Sequence, residues 1–220
     1  SHPVGTGPYR FVAWRPNEAV VFERNDDYWG EAPADAFDRL VMRSIPLNAS
    51  RLSELLSGAI HGLDGLQPSE LSDLREDPRF RIHHQPGMNV GYLAFSQASE
   101  RMRDPELRQA ISQAIDRENL VRLALDGYGQ VAAYPAPSGF LGIPKDSGPI
   151  RFDPEAAARL VEAHPEWAAE PLRLATFGQP RMYFPDPQRI ASLIRNDLEA
   201  VGLRVEIVNR EFQSHLHTTR

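Results

Sequence analysis

The sequence predicts an α/β fold, and three patterns along the chain indicate it. Strand-like runs dominate the first 45 residues, and helices with aspartate caps dominate from Asp104 onward. The third pattern is a strand–helix–strand unit, read in LRLAT, PDPQRIASLIRNDLEAVG and LRVEIVN, which is typical of a parallel β–α–β crossover. We place a domain boundary between a strand-rich part, residues 1–98, and a helix-led part, residues 99–220.

The strand-rich part begins with a predicted hairpin, formed by PYRFVAW and AVVFERN around the turn RPNE. A third, more buried strand is predicted in FDRLVMRSIP. A helix capped by Asn48 or Ser50 and ended by Gly58 is predicted in NASRLSELLSG, and a short helix with Pro68 in its first turn in PSELSDLRED. Two further strands, RFRIHHQPG and NVGYLAFS, are predicted around the turn Pro86–Gly87.

The helix-led part begins with a predicted helix pair, DPELRQAISQAIDRENLVRLALDG. Asp104 caps the first helix, Asp116 caps the second, and Gly127 ends it. Residues 134–150 are predicted to form a Pro/Gly-rich loop, and DPEAAARLVEAHP another aspartate-capped helix. The last residues are predicted to begin a further helix.

Composition excludes several classes of function. The formal net charge is -6 and the 24 Lys and Arg residues form no basic run, which argues against a nucleic-acid partner held through phosphates. Without cysteine, the chain has no disulfide, Cys-ligated zinc, iron–sulfur cluster or thiol catalysis. No apolar run approaches the roughly 18 residues of a membrane span, so no integral membrane segment is predicted.

Catalytic motifs are also missing from the sequence, which contains no GxSxG, HExxH or P-loop pattern. Gly5–Gly7 resembles the start of a phosphate loop, but Pro8 removes a backbone donor there, so a bend is the better interpretation. His83–His84 are adjacent and would point to opposite faces of a strand, while His215 and His217 lie in a predicted helix. We therefore expect no metal, no cofactor and no enzyme; a metallohydrolase using His215 and His217 is the enzymatic alternative.

The segment GQPRMYFPDP predicts a stiff loop in front of a long helix, because three prolines interrupt it. It presents Arg181 beside Tyr183 and Phe184. A guanidinium has a rigid fork of donors that matches a carboxylate, and a tyrosine hydroxyl adds another donor, so the loop can act as an anion receptor. The alternative is a surface arginine that pairs with Asp186 or stacks on its neighbouring aromatics.

The other aromatic side chains lie in or beside predicted strands, where core packing explains most of them: Trp14, Tyr28, Trp29, Tyr92 and Phe95. Tyr92 and Phe95 have a second interpretation, because strand ends are where ligand clefts form. Tyr92 is accordingly a candidate cleft residue.

Several segments resemble extracytoplasmic solute-binding proteins that serve ABC importers of peptides, the family 5 proteins. The similar stretches are PVGTGPYRFVAW, RNDDYWG, FDRLVMRSIP with NASRLSELLSG, GMNVGYLAFS with DPELRQAISQAIDRENLV, and LRLATF through QRIASLIRNDLEAVGLRVEIV. They cover nearly the whole chain in the family's order, and dipeptide-binding members look most similar.

The resemblance implies a two-lobed periplasmic-binding-protein-like fold, a type II clamp with an extra subdomain that closes on its ligand. Residues 1–98 would belong to the first lobe with its extra subdomain and residues 99–220 to the second, so we expect an interior, incomplete piece of a longer protein. Arg181 and Tyr183 match the loop arginine and tyrosine that hold a peptide's C-terminal carboxylate in dipeptide-binding members, and Met182 stands where those members have proline.

The implied function is that of the substrate-binding component of an ABC importer, which captures short peptides for a membrane permease. The expected location is periplasmic or extracellular, with membrane attachment as a lipoprotein. A solute-sensing domain of a transcriptional regulator is the alternative, since related folds also occur fused to DNA-binding modules.

Overall fold

The structure is a computed structural model that describes residues 3–31, 35–66, 70–85, 87–137, 150–181 and 184–218, without the side chains of residues 72–73 and 216–218. The chain divides into two compact units, residues 1–66 (unit 1) and residues 67–220 (unit 2). Residues within each unit contact one another more than they contact the other unit. The assignment of residues 1–98 and 99–220 to two lobes of a clamp stays a prediction.

Unit 1 contains a three-stranded antiparallel sheet in the order β1-β2-β3 followed by one helix. Its elements are β1 (Tyr9–Arg15), β2 (Ala19–Arg24), β3 (Arg39–Arg43) and α1 (Asn48–Leu56). Val21 of the central strand is buried and lies opposite Ala13 on one side and Val41 on the other. The predicted hairpin and helix are therefore confirmed.

Two details of the unit 1 prediction are wrong. The third strand is exposed along its whole length rather than buried, because it is the edge of the sheet. Helix α1 has Leu47 at its N-cap without a side-chain cap, and the Asn48 side chain instead accepts a hydrogen bond from Arg51. Gly58 follows the helix with a φ of 78°, a conformation that glycine adopts without steric cost, as predicted.

Unit 2 is mainly helical. Its helices are α2 (Leu71–Glu76), α3 (Glu100–Arg103), α4 (Pro105–Ala114), α5 (Arg117–Ala124), α6 (Pro154–Ala163), a 3₁₀ turn (Pro165–Ala168), α7 (Pro187–Ala200) and α8 (Phe212–Thr218). The predicted helix pair is confirmed with both caps: Asp104 accepts from the Glu106 amide at 2.9 Å and Asp116 from the Asn119 amide at 2.9 Å. None of the described helices is long and apolar enough to cross a lipid bilayer.

The predicted β–α–β unit is also confirmed. β4 (Leu172–Phe177) and β5 (Val205–Arg210) pair in parallel, and α7 connects them and packs on both strands. A crossover of this kind is needed because parallel strands cannot be joined by a tight turn.

The core of unit 2 lies where α4, α6 and α7 pack together around this two-stranded sheet. Its buried members are Leu107, Ala110, Ile111, Ala114, Ile115, Ala157, Val161, Trp167, Leu172, Ile194, Leu198, Val201 and Leu203. They recur at helical spacing along each helix, so one face of each contributes to a single apolar cluster.

The prediction of two strands in residues 79–87 and 89–96 is wrong for the described residues of those segments, which form no regular strand. Val90, Leu93 and Phe95 are half-buried, and the last two pack against the core. The alternation of apolar and polar residues along this segment therefore reflects which side chains face the core, and it does not indicate a strand. A strand also requires a hydrogen-bonded neighbour, and the described residues supply none here.

Candidate functional site

The candidate site lies at the carboxyl edge of the parallel pair β4 and β5. The last residues of the two strands, Phe177 and Arg210, lie directly opposite each other. Residues 178–186 therefore leave the sheet at the same edge as α8, which begins at Phe212. Ligands of open α/β sheets bind outside the carboxyl ends of their strands, because loops from neighbouring strands converge there.

The loop of residues 178–186 is held at its junction with α7. The buried Thr176 hydroxyl donates to the Pro187 carbonyl at 3.3 Å, and the Gln188 side-chain amide donates to the Phe177 carbonyl at 3.1 Å. These two hydrogen bonds join the end of β4 to the start of α7, so the ends of the loop cannot separate freely.

A second pair of hydrogen bonds closes the loop on itself. The Arg181 amide donates to the Phe184 carbonyl at 3.0 Å, and the Phe184 amide donates to the Arg181 carbonyl at 2.9 Å. Residues 182–183 between them, including the predicted Tyr183, lie outside the described residues. The reciprocal bonds fix the backbone from which the Arg181 side chain projects.

Arg181 is half-buried and lies against an aromatic ring. Its guanidinium carbon is 3.9 Å from the centroid of the Phe212 ring, a cation–π contact. Its Nε is buried without a hydrogen-bond partner, and no described residue forms an ion pair with it. A buried N–H donor without a partner is costly and a guanidinium binds carboxylates well, so this group favours an acidic ligand.

The two alternatives for Arg181 have different outcomes. Asp186 does not pair with it in the structure; its carboxylate accepts from the Arg189 amide at 3.0 Å and caps α7. Stacking on an aromatic ring does occur, but the ring is Phe212 of α8, more distant in sequence than the loop's own aromatics.

An aromatic cluster surrounds this cation. Phe177 lies at its centre, with its ring centroid 5.5 Å from Phe184, 5.1 Å from Phe212 and 5.3 Å from the His215 imidazole. The contacts with Phe212 and His215 are edge-to-face, which is the preferred arrangement of aromatic pairs. The cluster gives the carboxyl edge an apolar wall next to a positive charge.

The titratable neighbours of this wall are His215, Arg210 and Glu211, whose carboxylate accepts hydrogen bonds in the first turn of α8. Burial lowers the pKa of His215 below its usual value, and the nearby charge of Arg210 lowers it further. Arg210 has no ion pair within the described part of the chain. The two guanidinium groups at this edge, those of Arg181 and Arg210, therefore have no ion-pair partner among the described residues.

The other predicted site residues lie near this cluster with different exposures. Phe184 belongs to it. The backbone at Gly91 passes close to the Phe184 ring, because a Cβ on that glycine would lie 3.2 Å from Phe184 Cε2. Tyr92, the next residue, has 73% of its surface exposed, so its side chain is not part of the packed core.

Three residues of the site were missed by sequence reasoning: Phe177, Arg210 and Phe212. Each stands at or just after the end of a strand in the β–α–β unit. The signal that could have found them is the parallel pairing itself, which brings the residues after both strands to one edge.

The remaining motifs form no site among the described residues, and the side chain of His217 lies outside them. The Thr6 and Gly7 carbonyls accept hydrogen bonds from Trp29 Nε1 at 3.0 Å and Asn25 Nδ2 at 3.2 Å, so this turn presents bonded acceptors where a phosphate needs donors. Among the described residues no group of His, Asp and Glu could hold a metal ion. Trp14 and Trp29 are 67% and 81% exposed, so core packing does not explain them.

Comparison with protein families identifies relatives of the whole chain. The model described as "Bacterial extracellular solute-binding proteins, family 5 Middle" matches residues 1–220. The chain is 33% identical over 208 residues to the probable ABC transporter periplasmic-binding protein SapA of Escherichia coli K12, with 94% of this chain and 37% of that protein covered. It is 26% identical over 215 residues to the dipeptide-binding protein of the same organism, with 98% and 40% covered.

A solved structure shows the same fold. The dipeptide-binding protein from Pseudoalteromonas sp. SM9913, crystallised in complex with Met-Leu, superposes with a TM-score of 0.71 at 27% identity, over 99% of this chain and 42% of that one. The chain therefore has the fold of part of a periplasmic binding protein, as predicted. It spans about two fifths of the length of these relatives.

Proposed function

Because the chain belongs to family 5 of the bacterial extracellular solute-binding proteins, we propose that it is part of the substrate-binding component of an ABC importer. Its ligands are short peptides, and its role is capture and delivery without chemical change. A membrane permease is the partner that receives the peptide, and the site of action is outside the cytoplasm.

The observation that carries this proposal is Arg181 at the carboxyl edge of β4 and β5, which has no ion pair among the described residues. A peptide ends in a carboxylate, and the guanidinium fork can donate two parallel hydrogen bonds to it. Two acidic side chains, one in the loop and one beside Phe212, are engaged elsewhere: Asp186 caps α7, and Glu211 accepts from the Gln213 amide at 2.8 Å in the first turn of α8. The positive charge is therefore left for a ligand.

The aromatic cluster supports peptide binding in a second way. Phe212 covers one side of the guanidinium and packs on Phe177, which in turn packs on Phe184, and an ionic hydrogen bond is stronger where water is excluded. Tyr183 would add a hydrogen bond to the carboxylate or pack on the ligand, and the exposed Tyr92 is available to contact it.

Relatives of this chain support transport over gene regulation. The two Escherichia coli relatives are named as a periplasmic-binding protein of an ABC transporter and a dipeptide-binding protein, and neither name refers to a regulator. The acidic net charge of -6 agrees with a protein that has no nucleic-acid partner.

The proposal is tested by replacing Arg181 in the complete natural protein that contains this chain. Di- and tripeptides with free carboxyl termini, Met-Leu among them, are first screened by thermal shift for those that stabilise the unmodified protein. We expect Arg181→Ala to weaken binding of these peptides about 10- to 100-fold, because a hydrogen-bonded charge pair contributes about 1.5–3 kcal/mol. Isothermal titration calorimetry measures the change.

Arg79→Ala is the matched control. Arg79 also lies over a phenylalanine ring, that of Phe80, and is paired with Asp77 at 2.7 Å outside the candidate site. We expect this variant to bind peptides as the unmodified protein does. Equal peptide affinity in the Arg181→Ala protein would contradict the assigned site, and a screen in which no peptide stabilises the protein would contradict the ligand class.

A further inference from the structure

We propose that Phe212 is the positioning residue of this site: its ring holds the Arg181 guanidinium in the orientation that receives a ligand's carboxylate. The inference rests on the proposed peptide-binding function. It concerns a residue of α8 that does not itself have to touch the carboxylate.

The contact between the two side chains has the geometry required. A guanidinium carbon 3.9 Å from the ring centroid lies over the face of Phe212, where the ring's negative potential attracts the cation. The N–H bonds of a guanidinium lie in its own plane, so a guanidinium that packs on a ring through its face keeps the donors of its two terminal nitrogens available. A carboxylate accepts two of these donors in that plane.

Phe212 is itself fixed in place by two neighbours. Its ring meets Phe177 edge-to-face at 5.1 Å and 75°, and Phe177 is the last residue of the paired strand β4. The Glu211 carboxylate, one residue before Phe212, accepts hydrogen bonds from the Gln213 and Ser214 amides and sets the direction in which α8 starts. The ring is therefore attached to the sheet through Phe177.

Arg181 has no competing anchor in the described part of the chain. Its guanidinium makes no hydrogen bond and no ion pair there, and its Nε is buried. An arginine side chain has many rotamers, and ordering it at the moment of binding reduces affinity. The stack on Phe212 orders it beforehand, so the ring should improve affinity for carboxylates in particular.

The experiment compares peptides that differ only at the carboxyl terminus. The peptide is the one that best stabilises the complete natural protein in the screen above. Its Kd is measured as the free acid and as the C-terminal amide. We expect Phe212→Leu to raise the Kd of the acid about 3- to 30-fold, the range that corresponds to a cation–π contact, and to change the Kd of the amide less. The acid-to-amide ratio, the Kd of the acid divided by the Kd of the amide, should therefore rise.

Two variants separate positioning from packing. Phe212→Tyr keeps the ring face and should restore the acid-to-amide ratio to within about twofold. Phe80→Leu removes the ring from the Arg79–Phe80 pair, which lies outside the site, and should leave the ratio unchanged. If circular dichroism shows that the Phe212→Leu protein is not folded, Phe212→Met serves as the second replacement without a ring.

The outcomes distinguish this inference from the function on which it rests. If the aliphatic variant loses affinity for the acid and the amide equally, the acid-to-amide ratio is unchanged and Phe212 only fills space. If in the same assay Arg181→Ala still weakens binding of the acid, the proposed function stands and this inference fails. If Arg181→Ala has no effect, both fail.

Discussion

His164 joins the first turn of α4 to the 3₁₀ turn after α6 through its two ring nitrogens. Nδ1 lies 3.0 Å from the Glu166 carboxylate and Nε2 lies 3.2 Å from the Glu106 carboxylate. The ring stacks on Trp167 with centroids 4.3 Å apart. The hydrogen bond to Glu166 and the charges of Glu166 and Glu106 raise the pKa of His164, although partial desolvation opposes them.

The contribution of His164 to stability should therefore depend on pH. Its pKa is higher in the folded state, so the stabilisation is full below the unfolded pKa of about 6.5 and is lost as pH rises through the folded pKa. We expect His164→Gln to lower the free energy of unfolding more at pH about 6 than at pH about 8.5. Urea denaturation at the two pH values measures this; an equal effect at both would contradict the ion pairs.

Fluorescence offers a second measurement of the same group. Trp167 is buried, whereas Trp14 and Trp29 are exposed, so the three residues emit from different environments. Because the imidazole stacks on Trp167, its protonation should change the blue part of the emission spectrum, and this titration should be missing in His164→Gln.

At the scale of elements, aspartate caps define where the helices of unit 2 begin. Asp104, Asp153 and Asp186 each precede a proline at the first helical position, and each accepts from a backbone amide of the first turn. A cap satisfies one of the amides that have no partner within the helix, and proline has no amide to satisfy. Short-range chemistry of this kind is readable from sequence.

Substitutions of Asp186 test whether its role is capping or pairing with Arg181. We expect Asp186→Ala to lower the free energy of unfolding by about 0.5–2 kcal/mol, and Asp186→Asn to lower it much less, since asparagine caps nearly as well. Chemical denaturation measures both. Asp186→Asn should also leave peptide affinity unchanged within about twofold. A clear change in peptide affinity on removal of this charge would support the alternative in which Asp186 pairs with Arg181.

At the scale of the whole molecule, the buried cluster of unit 2 joins elements far apart in the chain. Leu107 of α4 is fully buried and shares the cluster with Val161 of α6 and Leu198 of α7. Removing a side chain there leaves a cavity that the surrounding helices cannot fully close.

We expect Leu107→Ala to lower the free energy of unfolding by about 2–5 kcal/mol. The measurement is urea denaturation followed by the emission of Trp167, which belongs to the same cluster. Leu47→Ala is the control, because Leu47 is 69% exposed, and it should change stability by less than about 0.5 kcal/mol. Similar effects of the two substitutions would mean that Leu107 is not in a packed core.

Much of unit 2 could be predicted because its signals are local. The caps at Asp104, Asp116 and Asp153, and the strands and helix of the β–α–β unit, follow from spacing within a few turns. The strands predicted around His83 and Tyr92 failed because an alternating pattern does not specify a partner strand.

By itself, the sequence determined the class of fold, the order of the main helices and strands from Asp104 onward, and the loop that presents Arg181, because capping, periodicity and proline act over short distances. Only the tertiary structure decided which ring lies beneath that guanidinium. Phe212 is 31 residues beyond Arg181 in the chain (212 minus 181) and reaches it because β4 and β5 pair in parallel and end at the same edge. Spatial proximity of this kind depends on strand pairing, which no local pattern encodes.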